Sequence, residues 1–287
     1  MSLCTRTYVA VRPAGLPAAL ALLLAACPGP DPVLPDAGDF ELLGDSLSCS
    51  ANNDGKIELS ELLFMAGATA SYRVNPPGTL APVDNRGQVE SGKPVWDHSS
   101  LSGVVAGIKV EPVDGTWYAK HFPDATFAIG QDVKAGTLEV LRLDIGGQRL
   151  QLLGLASRKA DVTLMVYQPP IDIMRFPLRA GLKFTTTGEV HDGKLNNLPI
   201  ATKDTYEVEV DAEGTVRLPS LEMRRSLRQK VKVRIQTVGA KEVHALQYQW
   251  FHECFGEVVR SVAQPTTDNS WPSLDFTKAV EYRRLSF

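Results

Sequence analysis

The sequence lacks the short motifs that mark the common catalytic and nucleotide-binding centres. It has no Gly-x-Ser-x-Gly elbow, no Walker loop, no Gly-x-Gly-x-x-Gly turn and no His-Glu-x-x-His pair. It also has no surplus of basic residues, since 30 Lys and Arg face 33 Asp and Glu and the formal net charge is -3. Phosphate binding needs a surplus of positive charge, so we expect no nucleic acid among its partners.

Two pairs of residues resemble parts of a catalytic triad and of a metal site, but neither pair is sufficient for such a site. Asp97 and His98 are adjacent, but in an extended segment they point to opposite faces and cannot pair as the base and orienter of a catalytic triad. His252 and Cys254 share a strand face, but no third metal ligand accompanies them at a recognised spacing, which favours a structural role. The sequence therefore offers no catalytic residue and favours a non-catalytic protein over an enzyme.

The first 26 residues have the pattern of a secretory signal. Residues 1–12 carry Arg6 and Arg12 and no acid, and residues 16–26 are apolar and end in small residues. This run is too short to span a bilayer, which takes about 20 apolar residues. The junction Leu24-Ala25-Ala26-Cys27 resembles the lipobox of bacterial lipoproteins, which implies cleavage before Cys27 and a diacylglycerol on its sulfur. The alternative is an ordinary signal peptide followed by a chance cysteine.

The lipidated cysteine and the segment after it form a predicted membrane tether. Two acyl chains hold a protein stably at a membrane. Residues 27–39 contain four prolines, two glycines and three aspartates, so we expect an extended linker there. Residue 28 is Pro and not the Asp that often retains lipoproteins in the inner membrane, which favours the outer membrane.

Residues 40–69 are predicted to form a loop and helix with a calcium site. The segment Ser50–Glu61 resembles the calcium loop of EF-hand and dockerin modules, with Gly55 at the sharp turn. The resemblance implies a calcium cofactor held by Ser50, Asn52, Asp54, the Lys56 carbonyl, Glu58 and Glu61. Residues 57–65 suit an exiting helix that ends at Gly67. Ser50 replaces the usual first aspartate, and the alternative is an Asn/Asp/Gly turn that caps a helix.

Residues 70–287 are predicted to be a β-rich domain with an antiparallel sheet. Residues 206–211 and 231–236 alternate apolar and polar side chains, which is typical of strands with one wet face. Pro169-Pro170 marks either a boundary between two β units or a long loop. Turn residues at 75–78, 114–115, 146–147, 191–193 and 213–214 separate further predicted strands. Those strands are 71–74, 104–110, 137–144, 149–156, 161–167, 182–189, 243–252 and 257–262.

Residues 166–262 resemble uncharacterised secreted bacterial proteins whose strands curl into a half-open barrel. The similarity lies in Thr185-Thr186-Thr187-Gly188, in Trp250-Phe251 and in Gly256-Glu257-Val258-Val259. It implies a curled or half-open barrel-like sheet with an apolar concave face for a lipid or a peptide. The resemblance carries over no catalytic residue.

A basic run and a cysteine pair complete the predictions. Residues 224–234 hold six Lys and Arg, which we interpret as the solvated face of a strand pair rather than a contact with anionic lipid. Of four cysteines, Cys4 leaves with the signal and Cys27 takes lipid, so Cys49 and Cys254 remain to bridge in an oxidising compartment. The alternative is two separate buried thiols.

Together these features predict an exported, lipid-anchored envelope protein. We expect a non-catalytic binding or structural module, with an envelope hydrolase of unrecognised site as the alternative. Acidic residues or histidines clustered at one end of the sheet would favour the hydrolase, and an apolar groove would favour the binding module.

Overall fold

The computed structural model describes residues 49, 51–62, 67–130, 136–159 and 161–287. The predicted signal 1–26, the lipidation site Cys27 and the linker 27–39 lie outside the described residues, as do Ser50 and residues 63–66. The described residues all belong to one compact unit, Leu34–Phe287.

Strands dominate the described residues, and the helical elements among them are two short 3₁₀ turns, Leu59–Glu61 and Ala119–His121. The strands are, in chain order, β1 (Lys56–Ile57), β2 (Thr69–Val74), β3 (Ala81–Pro82), β4 (Gln88–Glu90), β5 (Lys93–Asp97), β6 (Val104–Glu111), β7 (Phe127–Gly130), β8 (Thr137–Asp144), β9 (Arg149–Ser157), β10 (Leu164–Arg175), β11 (Leu178–Arg179), β12 (Lys183–Leu195), β13 (Leu198–Arg217), β14 (Glu222–Thr237), β15 (Val243–His252), β16 (Gly256–Ala263) and β17 (Lys278–Leu285).

One 15-stranded sheet forms most of the described part of the chain. Its strands follow the order β12-β10-β9-β8-β7-β6-β2-β17-β16-β15-β14-β13, and β12 also pairs with β13, so the ring of strands closes on itself. Neighbours in the ring are antiparallel. Outside the ring, β5 pairs in parallel with the end of β13, and β4 and β3 extend this side. The predicted mainly β, antiparallel, barrel-like fold is confirmed.

Side chains alternate between the interior of the ring and its outer surface. In β14, Val231, Val233 and Ile235 face the interior, while Lys232 and Arg234 lie between them on the outer face. Parts of the outer surface are also covered: Trp96 of β5 packs against Trp250 of β15, and Tyr118 and Phe122 pack over the apolar residues of β7, β8 and β9. Several strands are therefore buried on both faces.

Three local predictions are wrong. Residues 191–193 and 213–214 do not turn the chain, because they lie inside β12 and β13. The hairpin turns at Asn196-Asn197, where φ is +53° and +65°, as a two-residue type I′ turn requires. Gly214 is small for a different reason, since a Cβ there would lie 2.2 Å from the carbonyl oxygen of Pro94 in the adjoining β5 region. Pro169-Pro170 is neither a boundary nor a loop, because both residues lie inside β10.

The predicted exiting helix is wrong over its described part. Only Leu59–Glu61 is helical, as a 3₁₀ turn, and Leu62 is extended with φ -108° and ψ 116°. Residues 56–57 form β1 instead and pair with β11 of the body. Tertiary pairing with β11 and burial of Ile57 have overridden the local helical pattern.

Candidate functional site: a polar cluster in the cavity of the sheet

The interior of the closed ring holds a cavity of about 550 Å³. Its walls are largely apolar, and this volume lies within the range of about 300–1,000 Å³ of small-molecule sites. The predicted apolar concave face corresponds to these walls. They include Ile108, Val110, Leu141, Leu150, Leu152, Met174, Val231, Val233, Ala245, Phe251 and Val262.

Charged side chains gather around Glu257 on one wall of the cavity. Arg260 Nη2 lies 2.6 Å from Glu257 Oε2, and Arg283 Nη2 lies 2.6 Å from Glu257 Oε1. Gln249 Nε2 also donates to Glu257 Oε2, at 2.7 Å. Burial alone would raise the pKa of Glu257, but the two guanidinium groups outweigh burial and hold its pKa below the ordinary value. Glu257 is therefore ionised and fully engaged.

Three polar atoms in or next to this cluster lack hydrogen-bond partners. Gln229 is 1% exposed and donates through Nε2 to Gln249 Oε1, at 3.2 Å. The orientations of both amides are fixed. The Glu257 carboxylate can only accept, so Gln249 turns Nε2 towards Glu257 and Oε1 towards Gln229, and Gln229 must turn its own Nε2 towards Gln249. Gln229 Oε1 is consequently left without a donor. Arg283 Nη1 lies 3.5 Å from Glu281 Oε1, close enough for an ion pair, but neither atom makes a hydrogen bond.

Glu139 of β8 reaches the same cavity from a strand that does not adjoin β16 or β17. It makes no hydrogen bond or ion pair with any described residue. Burial raises the pKa of Glu139, with Arg260 and Arg283 opposing this rise and Glu257 and Glu281 adding to it. Among the described residues, this carboxyl group therefore has no counter-ion of its own.

The sequence analysis did not place these cavity residues. In β8, Leu138 and Val140 alternate with Glu139, a pattern that by itself indicates apolar side chains towards the core and Glu139 towards solvent. In the structure Leu138 and Val140 are completely buried under residues 113–122 on the outer surface, and Glu139 points inward. The sequence therefore did not predict that charged residues line the interior, since no local signal distinguishes them from surface charges. They are Glu139, Glu257, Arg260, Glu281 and Arg283.

The predicted calcium loop folds as a compact turn. Asn52 Oδ1 and Asp54 Oδ1 accept the backbone N–H groups of Asp54 and Lys56, at 2.9 and 2.8 Å. Gly55 has φ +85°, as expected for its place in the turn. Glu61 Oε1 accepts from Asn52 Nδ2 and Glu61 Oε2 accepts from the Glu58 N–H, each at 2.8 Å.

Several predicted ligands therefore lie together, but protein donors occupy the Glu61 carboxylate. No group of three or more His, Cys, Asp or Glu side chains suited to a metal ion is present in the described part of the chain. Calcium binding by Ser50, Asn52, Asp54, Lys56, Glu58 and Glu61 stays a prediction, and Ser50 lies outside the described residues.

The predicted disulfide between Cys49 and Cys254 is confirmed. The Cα atoms are 5.5 Å apart, and the sequence separation is 205 residues. The Cys254 N–H also donates to the Glu61 carbonyl oxygen, at 2.9 Å, and the Asn53 N–H donates to Glu253 Oε2, at 2.9 Å. The bridge and these bonds join the turn to the end of β15. Because Cys254 is in the disulfide, its sulfur is not a thiolate ligand for a metal beside His252.

The remaining predicted candidates have structural surroundings. Asp97 accepts from the N–H and hydroxyl of Ser99, at 2.9 and 2.6 Å, rather than from His98. His98 is buried against Trp250 and lies with Nδ1 2.7 Å from the Tyr282 hydroxyl. Burial, with a smaller contribution from Arg284, lowers the pKa of His98 to about 3, so the ring is neutral.

Cross-strand acids pair with much of the basic run. Arg225 contacts Glu213, Arg228 contacts Asp211 and Lys230 contacts Glu209, at 3.1, 2.8 and 2.6 Å. These acids belong to β13, the neighbour of β14, so the run forms the charged outer face of a strand pair. This arrangement agrees with the interpretation as a solvated face.

No protein-family model, curated protein or solved structure matches the chain. Within the described ranges, no helix combines the length and the apolar character needed to cross a membrane.

Proposed function

We propose that the protein is a lipid-anchored, non-catalytic module of a bacterial cell envelope that binds a small amphipathic molecule inside its sheet. The cavity of about 550 Å³ carries the binding part of the proposal, because it combines apolar walls with a few converging polar groups. The anchoring part rests on Leu24-Ala25-Ala26-Cys27 at the end of an apolar leader. Outer-membrane attachment is favoured by Pro28.

The charged residues around Glu257 are better explained by a role in ligand binding than by a contribution to the stability of the fold. Burying charges costs several kcal/mol per ion, and a well-packed apolar interior of the same volume is often as stable or more so. Gln229 Oε1 and Arg283 Nη1 also remain without hydrogen-bond partners, which costs further stability. We infer that these groups are retained for a ligand, since natural proteins accept such costs at functional sites.

The alternative, an envelope hydrolase, has one observation in its favour. The pKa of Glu139 is raised and that of Glu257 is lowered, as in an acid and base pair. However, both oxygens of Glu257 are bound by arginines and Gln249, so this carboxylate is not available to activate water or to attack a substrate. Binding is therefore the better-supported function.

Native mass spectrometry tests the proposal. The chain is purified for this purpose from the membranes of the cell that makes it. We expect a non-covalent ligand in addition to the mass of the lipidated chain. Ala245→Trp, which fills the cavity, should release the ligand, whereas Ala240→Trp at an exposed turn should retain it. A ligand that remains bound to a folded Ala245→Trp variant would place binding elsewhere, and ligand-free wild-type chain would contradict the proposal.

A further inference from the structure

The described lining of the cavity contains one more carboxyl group than guanidinium groups. Glu139, Glu257 and Glu281 line it together with Arg260 and Arg283. Glu257 contacts both arginines and Glu281 lies 3.5 Å from Arg283, whereas no described residue places a cation within ion-pair distance of Glu139. An ionised Glu139 would give the cavity a net charge of about -1, by counting the charged forms that are ordinary at neutral pH.

The hydrogen-bonding groups of the cavity point to the same missing partner. Gln229 is almost fully buried and its Oε1 atom has no donor. Glu281 Oε1 is a second acceptor without a donor, and no described residue donates to the Glu139 carboxylate. Among the described cavity residues, Arg283 Nη1 is a buried donor without a hydrogen bond, and it already lies beside a carboxylate of opposite charge. A ligand that supplies N–H donors and a positive charge therefore meets more unmet needs than an anion does.

We infer that the cavity takes a monocationic amphiphile: an apolar body with one protonated amine, whose ammonium group pairs with the Glu139 carboxylate. This inference deepens the proposed binding function and rests on it. The apolar body contacts walls such as Leu141, Leu152 and Val231, and the ammonium group replaces the water that Glu139 loses by burial. An anionic amphiphile would add a second negative charge and leave Glu139 unpaired.

Glu139 gains more from this partner than any other cavity acid. Burial disfavours its ionised form, and Arg260 and Arg283 compensate only in part because both are committed to Glu257. A cation at Glu139 restores the interaction that burial removed. A charged hydrogen bond of this kind contributes about 1.5–3 kcal/mol, which corresponds to at least about a tenfold change in affinity.

Three probes of similar chain length with different head groups test this inference. Octylammonium, octanol and octanoate are titrated calorimetrically at pH 7.5 into the full chain carrying Cys27→Ala, which removes the lipid. We expect octylammonium to bind at least about tenfold more tightly than octanol. Glu139→Gln should abolish this preference while octanol binding persists, and Glu207→Gln, on the exposed outer face of β13, should leave the preference intact.

The outcomes separate the two proposals. Equal binding of the three probes, or tighter binding of octanoate, would overturn the cationic class while leaving a ligand-binding cavity. An amine preference that survives in a folded Glu139→Gln variant would also overturn it. If none of the probes binds and the chain from its native membrane carries no ligand, the binding function fails as well.

Discussion

Loss of the disulfide between Cys49 and Cys254 is predicted to destabilise the protein through its unfolded state. The bridge closes a loop with a sequence separation of 205 residues. For a loop of this size, chain entropy gives an upper estimate of about 5 kcal/mol at 25 °C. For a protein of this length, the loss corresponds to a fall in Tm of roughly 10–20 °C.

The folded state explains why most of this loss comes from the unfolded chain. Without the bridge, the turn keeps the bond from the Cys254 N–H to Glu61, the bond from the Asn53 N–H to Glu253, and the pairing of β1 with β11. The native turn should therefore persist. The unfolded chain, by contrast, gains the freedom that the cross-link denied it, so it expands and exposes more surface.

Urea unfolding followed by tryptophan fluorescence measures both effects. The comparison is between a Cys4→Ser, Cys27→Ser background and the same background with Cys49→Ala and Cys254→Ala. We expect a lower midpoint and a larger m value in the variant without the bridge, and no effect of reductant on that variant. Equal midpoints and equal m values would refute the entropic argument. Two reactive thiols in the unfolded, unreduced background protein would refute the bridge itself.

Four further predictions concern the anchor, the turn and two titratable groups. Cys27→Ala should leave a chain that no longer enters the detergent phase on partitioning, and a processed variant that still does so would contradict lipidation. The weakest expected dissociation constant of the loop for calcium is about 1 mM, so calcium at about 10 mM should stabilise the wild type by about 1.4 kcal/mol. Glu61→Ala should abolish this gain. A wild-type Tm that does not change with calcium would mean that the segment is only a turn. The pKa of His98 falls from 6.5 to about 3 on folding, so the unfolded state binds more protons than the folded state on acidification. The free energy of unfolding should therefore fall by about 3 kcal/mol between pH 7 and pH 4. If it depends on pH in the same way in His98→Gln, another group is responsible. Folding raises the pKa of Glu139, so the stability that its protonated form contributes is lost as the pH rises through the pKa of the folded state. Glu139→Gln should therefore unfold at a higher urea concentration than the wild type at pH 8. A lower urea midpoint for the variant would contradict the burial argument.

Many of the strands and the cysteine pair could be predicted from the sequence. The predicted strands 137–144, 149–156 and 243–252 match β8, β9 and β15 within one residue, and the alternation at 206–211 and 231–236 lies inside β13 and β14, because alternation follows directly from the geometry of an extended chain. The disulfide followed from counting cysteines in an oxidising compartment, without knowledge of any distance. Short-range chemistry also accounts for the turn around Gly55, where the backbone needs a positive φ.

Which face of each strand is the interior depends on long-range packing. Leu138 and Val140 of β8 are apolar, but residues 113–122 cover them from outside, so Glu139 is the residue that enters the cavity. The pairing of β2 with β17 joins residues near 72 to residues near 284 and completes the ring, and no local pattern encodes that contact. Closure places Glu139 of β8 in the same cavity as Arg283 of β17, strands that are far apart in the chain, and the candidate site exists only because of this long-range arrangement.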